Sequence, residues 1–81
     1  MTAAQKAKEY FTEMEEILGL INEFEIEVRE YQNTANYCKL MKIEPAEHIV
    51  KNLKESKHLL NINIDRWNEL TNAKLTKVTE D

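Results

Sequence analysis

At 81 residues, with 42% apolar and 32% charged side chains and a net charge of −4, the chain has too much apolar content for disorder. One Gly, one Pro and one Cys leave too few turn formers for a multi-stranded sheet and exclude an internal disulfide framework, and no run of about 18 apolar residues is present to cross a bilayer. What remains is one all-α domain over 1–81, of a size at which a lone core is only marginally stable unless association extends it.

The first predicted element is long. Tyr10, Met14, Ile17, Ile21, Phe24, Val28, Tyr31, Ala35 and Cys38 are spaced alternately four and three residues apart. That heptad seam held over about four repeats needs a helix facing another helix. Thr2 is a suitable N-cap, and Glu, Lys and Ala fill the outward positions with good helix formers, so helix 1 is expected from about Ala3 to about Leu40. Gly19 falls at an outward position and weakens the helix without ending it. The weaker place is Asn33-Thr34-Ala35-Asn36, whose side chains offer the backbone alternative hydrogen bonds; a break there would leave 37–42 as a short third helix. The first ten residues, MTAAQKAKEY, lack the basic start and apolar stretch of a secretory leader, and Cys38 sits on the seam as a small hydrophobe, so a cytoplasmic location is expected. The abundance of Asn, Lys and Ile, with their A/T-rich codons, suggests a phage or low-GC bacterial origin.

Residues 41–45 form the turn, because Pro45 disfavours helix at Glu44 and suits the first position of the next one. Helix 2 is expected from about Pro45 to about 75–76 on a second seam of Ala46, Val50, Leu53, Lys57, Leu60, Ile64, Trp67, Thr71, Lys74 and Val78, less regular than the first. Asn61-Ile62-Asn63-Ile64-Asp65 alternates like a strand, yet its apolar members keep helical spacing with Leu60 and Trp67; it reads as low-propensity helix. Thr79-Glu80-Asp81 is expected to fray. The two elements make a long antiparallel, coiled-coil-like hairpin that is expected to associate into a four-helix bundle.

Charge follows the chain. Residues 1–32 carry eight glutamates against Lys6, Lys8 and Arg29, whereas residues 33–78 carry eight basic side chains against five acidic ones. An acidic helix followed by a basic one suits antiparallel pairing, with the basic strip neutralising the glutamates of helix 1.

Chemistry is sparse. Glu55-x-x-His58 has the spacing of a di-iron carboxylate motif, but at ~100° per residue both side chains fall opposite Leu60, Ile64 and Trp67, and the first seam contributes no inward glutamate. His48 and His58 are too far apart for a helical zinc pair. Ser56 has no flanking Gly-x-Ser-x-Gly pattern, and Arg29 and Arg66 fall off the seams, unlike the inward cations of small helical mutases. No catalytic residue, metal ligand or cofactor is expected.

Two surfaces compete for the function. Phe11, Leu18 and Ile26 on helix 1, and Leu59 and Ile62 on the presumed back of helix 2, are apolar residues off the seams that suit burial against a second copy or a different protein. Lys39, Lys42, Lys51 and Lys54 are the alternative, a strip that could touch phosphates, although a net charge of −4 and the absence of interleaved aromatics argue against nucleic acid. In helix count alone, without any matching motif, the chain resembles the small dimeric RNA-binding hairpins. The reading is a non-catalytic protein-binding module, an adaptor, assembly subunit or phage-type regulator acting on a larger protein of unknown identity, with self-association and no membrane contact. A nucleic-acid-binding regulator is the runner-up.

Overall fold

The computed structural model describes residues 2–80. Helix α1 spans Ala3–Leu40 and helix α2 spans Glu47–Thr71; they pack antiparallel into a rod of 59 × 18 × 15 Å. The rod is about as long as α1, whose 38 residues rise ~57 Å at 1.5 Å each.

Thr2 starts α1 with a full capping box: its hydroxyl accepts from the Gln5 N–H at 3.2 Å while Gln5 Oε1 accepts from the Thr2 N–H at 2.9 Å. The expected weak point at 33–36 does not break the helix. Thr34 donates its hydroxyl to the Glu30 carbonyl at 3.0 Å, and Gln32 donates to Asn36 Oδ1 at 3.0 Å. Thr34 bonds back one turn and Gln32 bonds Asn36 one turn on, both compatible with an unbroken helix, so residues 37–40 remain the last turn of α1 and no third helix forms among the described residues.

Lys42 ends that turn in the left-handed region, with φ 58°. The Lys42 N–H reaches the Lys39 carbonyl at 3.2 Å and the Ile43 N–H reaches the Cys38 carbonyl at 2.8 Å, the paired bonds of a Schellman motif built without glycine. Residues 43–46 then cross to the second helix, and Ala46, extended at ψ 145°, is its N-cap. Pro45 therefore precedes the helix by two residues, because the crossing must stay extended to cover the ~8–10 Å between helix axes.

The far end of α2 departs most from expectation. The helix stops at Thr71, not near 75–76, since Asn72 adopts the left-handed conformation at φ 57° and asparagine follows glycine as the residue most at ease there. Thr71 turns its hydroxyl onto the Trp67 carbonyl and accepts from the Ala73 N–H. Residues 72–80 are non-helical and run back along α2. Val78 is accordingly on the core not as a helical seam residue but as part of this returning segment. Glu80 is held by hydrogen bonds where fraying was expected, and Asp81 lies outside the described residues.

The core is narrow and sits off centre. Ile17 and Ile21 of α1 and Leu60 and Ile64 of α2 are buried, with Phe24, Val28, Trp67, Leu70 and Val78 packed around them. Ser56, on the α1 side of the helix, donates to the half-buried Glu27 carboxylate at 3.1 Å, and Asn52 donates to the Tyr31 hydroxyl at 3.4 Å. From residue 29 to residue 55 no side chain is buried.

Candidate interaction site

Long unburied helix in the closed half of the rod is the first indication of where this protein makes contacts. Tyr37, Leu40, Met41, Ile43 and Val50 are all more than half exposed there, Leu40 at 78%. Further along α1, Phe11, Leu18 and Ile26 are exposed as well. Counting ~100° per residue from Phe11, the side chains of Phe11, Leu18, Ile26, Tyr37 and Leu40 fall within an arc of about 100°, centred some 150° from the seam that meets α2. α1 therefore has an apolar face that α2 covers and, on the other side, a row of exposed apolar side chains interleaved with Glu15, Asn22, Arg29 and Asn33. Sequence reasoning placed Phe11, Leu18, Ile26 and Leu40 off the seam, but it did not join them to Tyr37, Met41 and Ile43; the signal was the angular position that Tyr37 shares with Ile26.

The pair expected on the back of α2 is not a pair. Leu59 is half-buried and lines a groove with Glu27, Tyr31 and Ser56, so it belongs to the flank of α2 turned towards α1, while Ile62 alone points outward, 42% exposed. A residue three positions from Ile62 lies ~60° away on a helix, and that rotation suffices to bring Leu59 under the edge of α1.

Antiparallel topology also corrects the charge argument. Among the described residues the ion pairs are His58–Glu80 and Lys77–Asp65, and neither joins α1 to α2. The hairpin sets Glu13 and Glu16 of α1 near the stretch of α2 that carries Asp65 and Glu69, whereas Lys51, Lys54 and Lys57 lie opposite residues 26–32, Glu27 and Glu30 among them, without an ion pair to either. Charge is thereby separated along the rod. Residues 33–57 carry five lysines against Glu44, Glu47 and Glu55, for +2, and residues 1–32 carry −5. Lys39 and Lys42 flank the apolar closed end, and Lys51 and Lys54 share one groove with His58 and Glu80. The Glu80 carboxylate thus stands on the basic strip, taking a hydrogen bond from Asn61 at 3.2 Å and meeting His58 Nδ1 at 2.8 Å. The Asn61 hydrogen bond first, then His58, hold its carboxyl below the usual carboxylate range. An acidic side chain seated on the lysine strip is poor preparation for phosphate.

Glu55 and His58 remain on an exposed face, and no group of three metal-ligating side chains occurs among the described residues. No helix of the described residues is long and apolar enough to cross a membrane. No family model, curated protein or solved structure matches the chain.

Proposed function

We propose that this protein is a non-catalytic, protein-binding helical hairpin whose docking surface is the outward apolar face of α1, and that its first partner is a second copy of itself. The observation that carries the reading is the exposure of Phe11, Leu18, Ile26, Tyr37 and Leu40 on one side of a helix whose other side is already covered. The row is interrupted by Glu15, Asn22, Arg29 and Asn33 at the same angles, but five large exposed apolar side chains aligned on one side of a helix are suited to an interaction surface.

Symmetry and charge support a second copy. The midpoint between Phe11 and Leu40 falls between Glu25 and Ile26. Two α1 helices laid antiparallel about a two-fold axis near Ile26 would therefore set Phe11 of each on Leu40 of the other. The same register brings Glu9 to Lys42 and Glu13 near Lys39, joining the acidic end of one rod to the basic end of its partner. Two hairpins joined this way put four helices side by side, with a second apolar contact on the side of α1 away from the core of each hairpin.

Disulfide trapping tests this. In a Cys38→Ala background, Ile26→Cys alone should give a covalent dimer on mild oxidation, and Phe11→Cys with Leu40→Cys should link across chains, while Glu55→Cys should not. Sedimentation equilibrium should show a dimer that Leu18→Lys with Leu40→Lys dissociates. A monomer at all concentrations, with no trapped dimer, would refute self-pairing and leave this face for a different protein. Steeply salt-dependent binding of labelled RNA or DNA would instead favour the lysine strip.

A further inference from the structure

The segment after α2 is held in an unusual way. Asn61 donates its amide to the Val78 carbonyl at 2.7 Å and accepts from the Val78 N–H at 2.8 Å. Asn68 does the same with Leu75, donating at 3.0 Å and accepting at 2.9 Å. Each asparagine satisfies both backbone groups of one residue, as a neighbouring strand would. The spacings agree: seven residues of helix rise ~10.5 Å, and three residues of extended chain cover about the same. Beyond Val78, the Glu80 carboxylate meets His58 and the Asn61 amide.

We propose that this flank of α2, formed by Asn61, Asn68 and His58, is a binding site for an extended peptide segment of another protein, apolar at two positions three apart and acidic two residues later, and that residues 75–80 are a built-in competitor for it. The asparagines grip backbone and so accept any extended chain; selectivity comes from the apolar contact at the Val78 position and from the acidic residue. The competitor is weakly seated. Apart from Ala73 and Val78, which are half-buried, residues 72–80 are exposed, and segments with few buried contacts open at low free energy. Asn72 in its left-handed turn is the point about which the segment leaves.

The fit at Val78 is also incomplete. A cleft of about 360 Å³ lies between the segment and α1, lined by Val28, Leu60, Ile64 and Val78 together with Glu25 and Gln32. A ligand with a larger apolar side chain at this position would fill space that valine leaves, and would displace the chain's own segment. The site uses a flank of α2, and nothing in it depends on the outward face of α1.

Fluorescence anisotropy with a labelled peptide of residues 73–80 carrying Val78→Phe tests the proposal on the full-length chain. Opening the native segment with Val78→Asp and Glu80→Lys in the protein should raise peptide affinity at least tenfold over the unaltered chain, because the competitor is removed. In that opened protein, Asn61→Ala or Asn68→Ala should lower affinity at least tenfold. Glu80→Gln in the peptide should lower it several-fold, and a scrambled peptide should not bind. Equal affinity with and without the asparagines, or no binding to an opened protein of native helicity, would overturn it. If the opened protein loses helicity, the Leu75 and Val78 amide resonances of the unaltered chain decide during peptide titration: displacement supports the site, and unchanged resonances at millimolar peptide refute it.

Discussion

Two leucines of identical chemistry, Leu60 and Leu40, should respond oppositely to truncation. Leu60 is 2% exposed and one of the four buried apolar side chains of the core, whereas Leu40 is 78% exposed at the closed end. Leucine-to-alanine changes in cores cost about 2–5 kcal/mol, depending on how far the surroundings relax into the space. Here the core is one layer between two helices and a returning segment, open to a cleft beside Leu60, so relaxation is easy and the lower end applies, ~2–3 kcal/mol. A chain of 81 residues has a total stability of roughly 4–12 kcal/mol. Leu60→Ala should therefore lower the melting temperature by about 10–20 °C. Leu40→Ala should change the stability of the isolated hairpin by less than ~0.5 kcal/mol. Circular dichroism melts over a hundredfold range of protein concentration measure both effects, because any loss at Leu40 should grow with concentration as the dimer forms. A Leu60→Ala change below about 1 kcal/mol would refute the assignment of the core. A concentration-independent loss at Leu40 of the same size as that at Leu60 would show that the closed end is packed within one chain.

Three further outcomes follow from the same geometry. Gly19 is helical and exposed, with nothing within 4 Å of an added Cβ; Gly19→Ala should stabilise α1 by about 0.5–1 kcal/mol, read as a higher urea midpoint at unchanged slope. Lys42 holds the left-handed position of the Schellman motif at φ 58°, where a side chain is disfavoured by ~1–2 kcal/mol. Lys42→Gly should recover about half of that after the added freedom of the unfolded chain, and destabilisation would mean that the lysine side chain holds the turn. Glu80 has its carboxyl lowered from 4.5 by the Asn61 and His58 hydrogen bonds. Its contribution is therefore complete above that value and lost as pH falls through the lower folded value. The Val78 amide signal should shift towards its free-peptide position as pH falls below the ordinary carboxylate range, and Glu80→Gln should remove the step.

How much of this was legible in the sequence depends on the range of the interaction that decided it. The heptad of Tyr10 to Cys38 fixed a long first helix, and the Thr2 cap fixed its start, because both rest on contacts within a few residues along one helix. Leu60, Ile64 and Trp67 identified the inward face of the second helix for the same reason. Patterning also placed Phe11, Leu18 and Ile26 on the outside, where the structure has them.

Tertiary structure alone decided what each flank meets. Leu59 and Ile62 differ by a rotation that a wheel shows, but only the position of α1 makes one half-buried and the other exposed. Asn61 looked like a poor helix former; its role appears once Val78 returns to its side, an encounter across 17 residues that no local rule contains. The end of α2 at Thr71 belongs to the same class, since residues 73–78 keep a helical pattern and leave the helix for backbone bonds to Asn61 and Asn68. Charge taught a related lesson: the acidic and basic blocks are plain in the sequence, but among the described residues no ion pair joins α1 to α2, and Glu27 meets Ser56 and not a lysine. Local propensity and periodicity determine elements because they act between neighbours along the chain. Partners of those elements are settled by long-range packing, where one helix end and one left-handed asparagine redirect everything that follows.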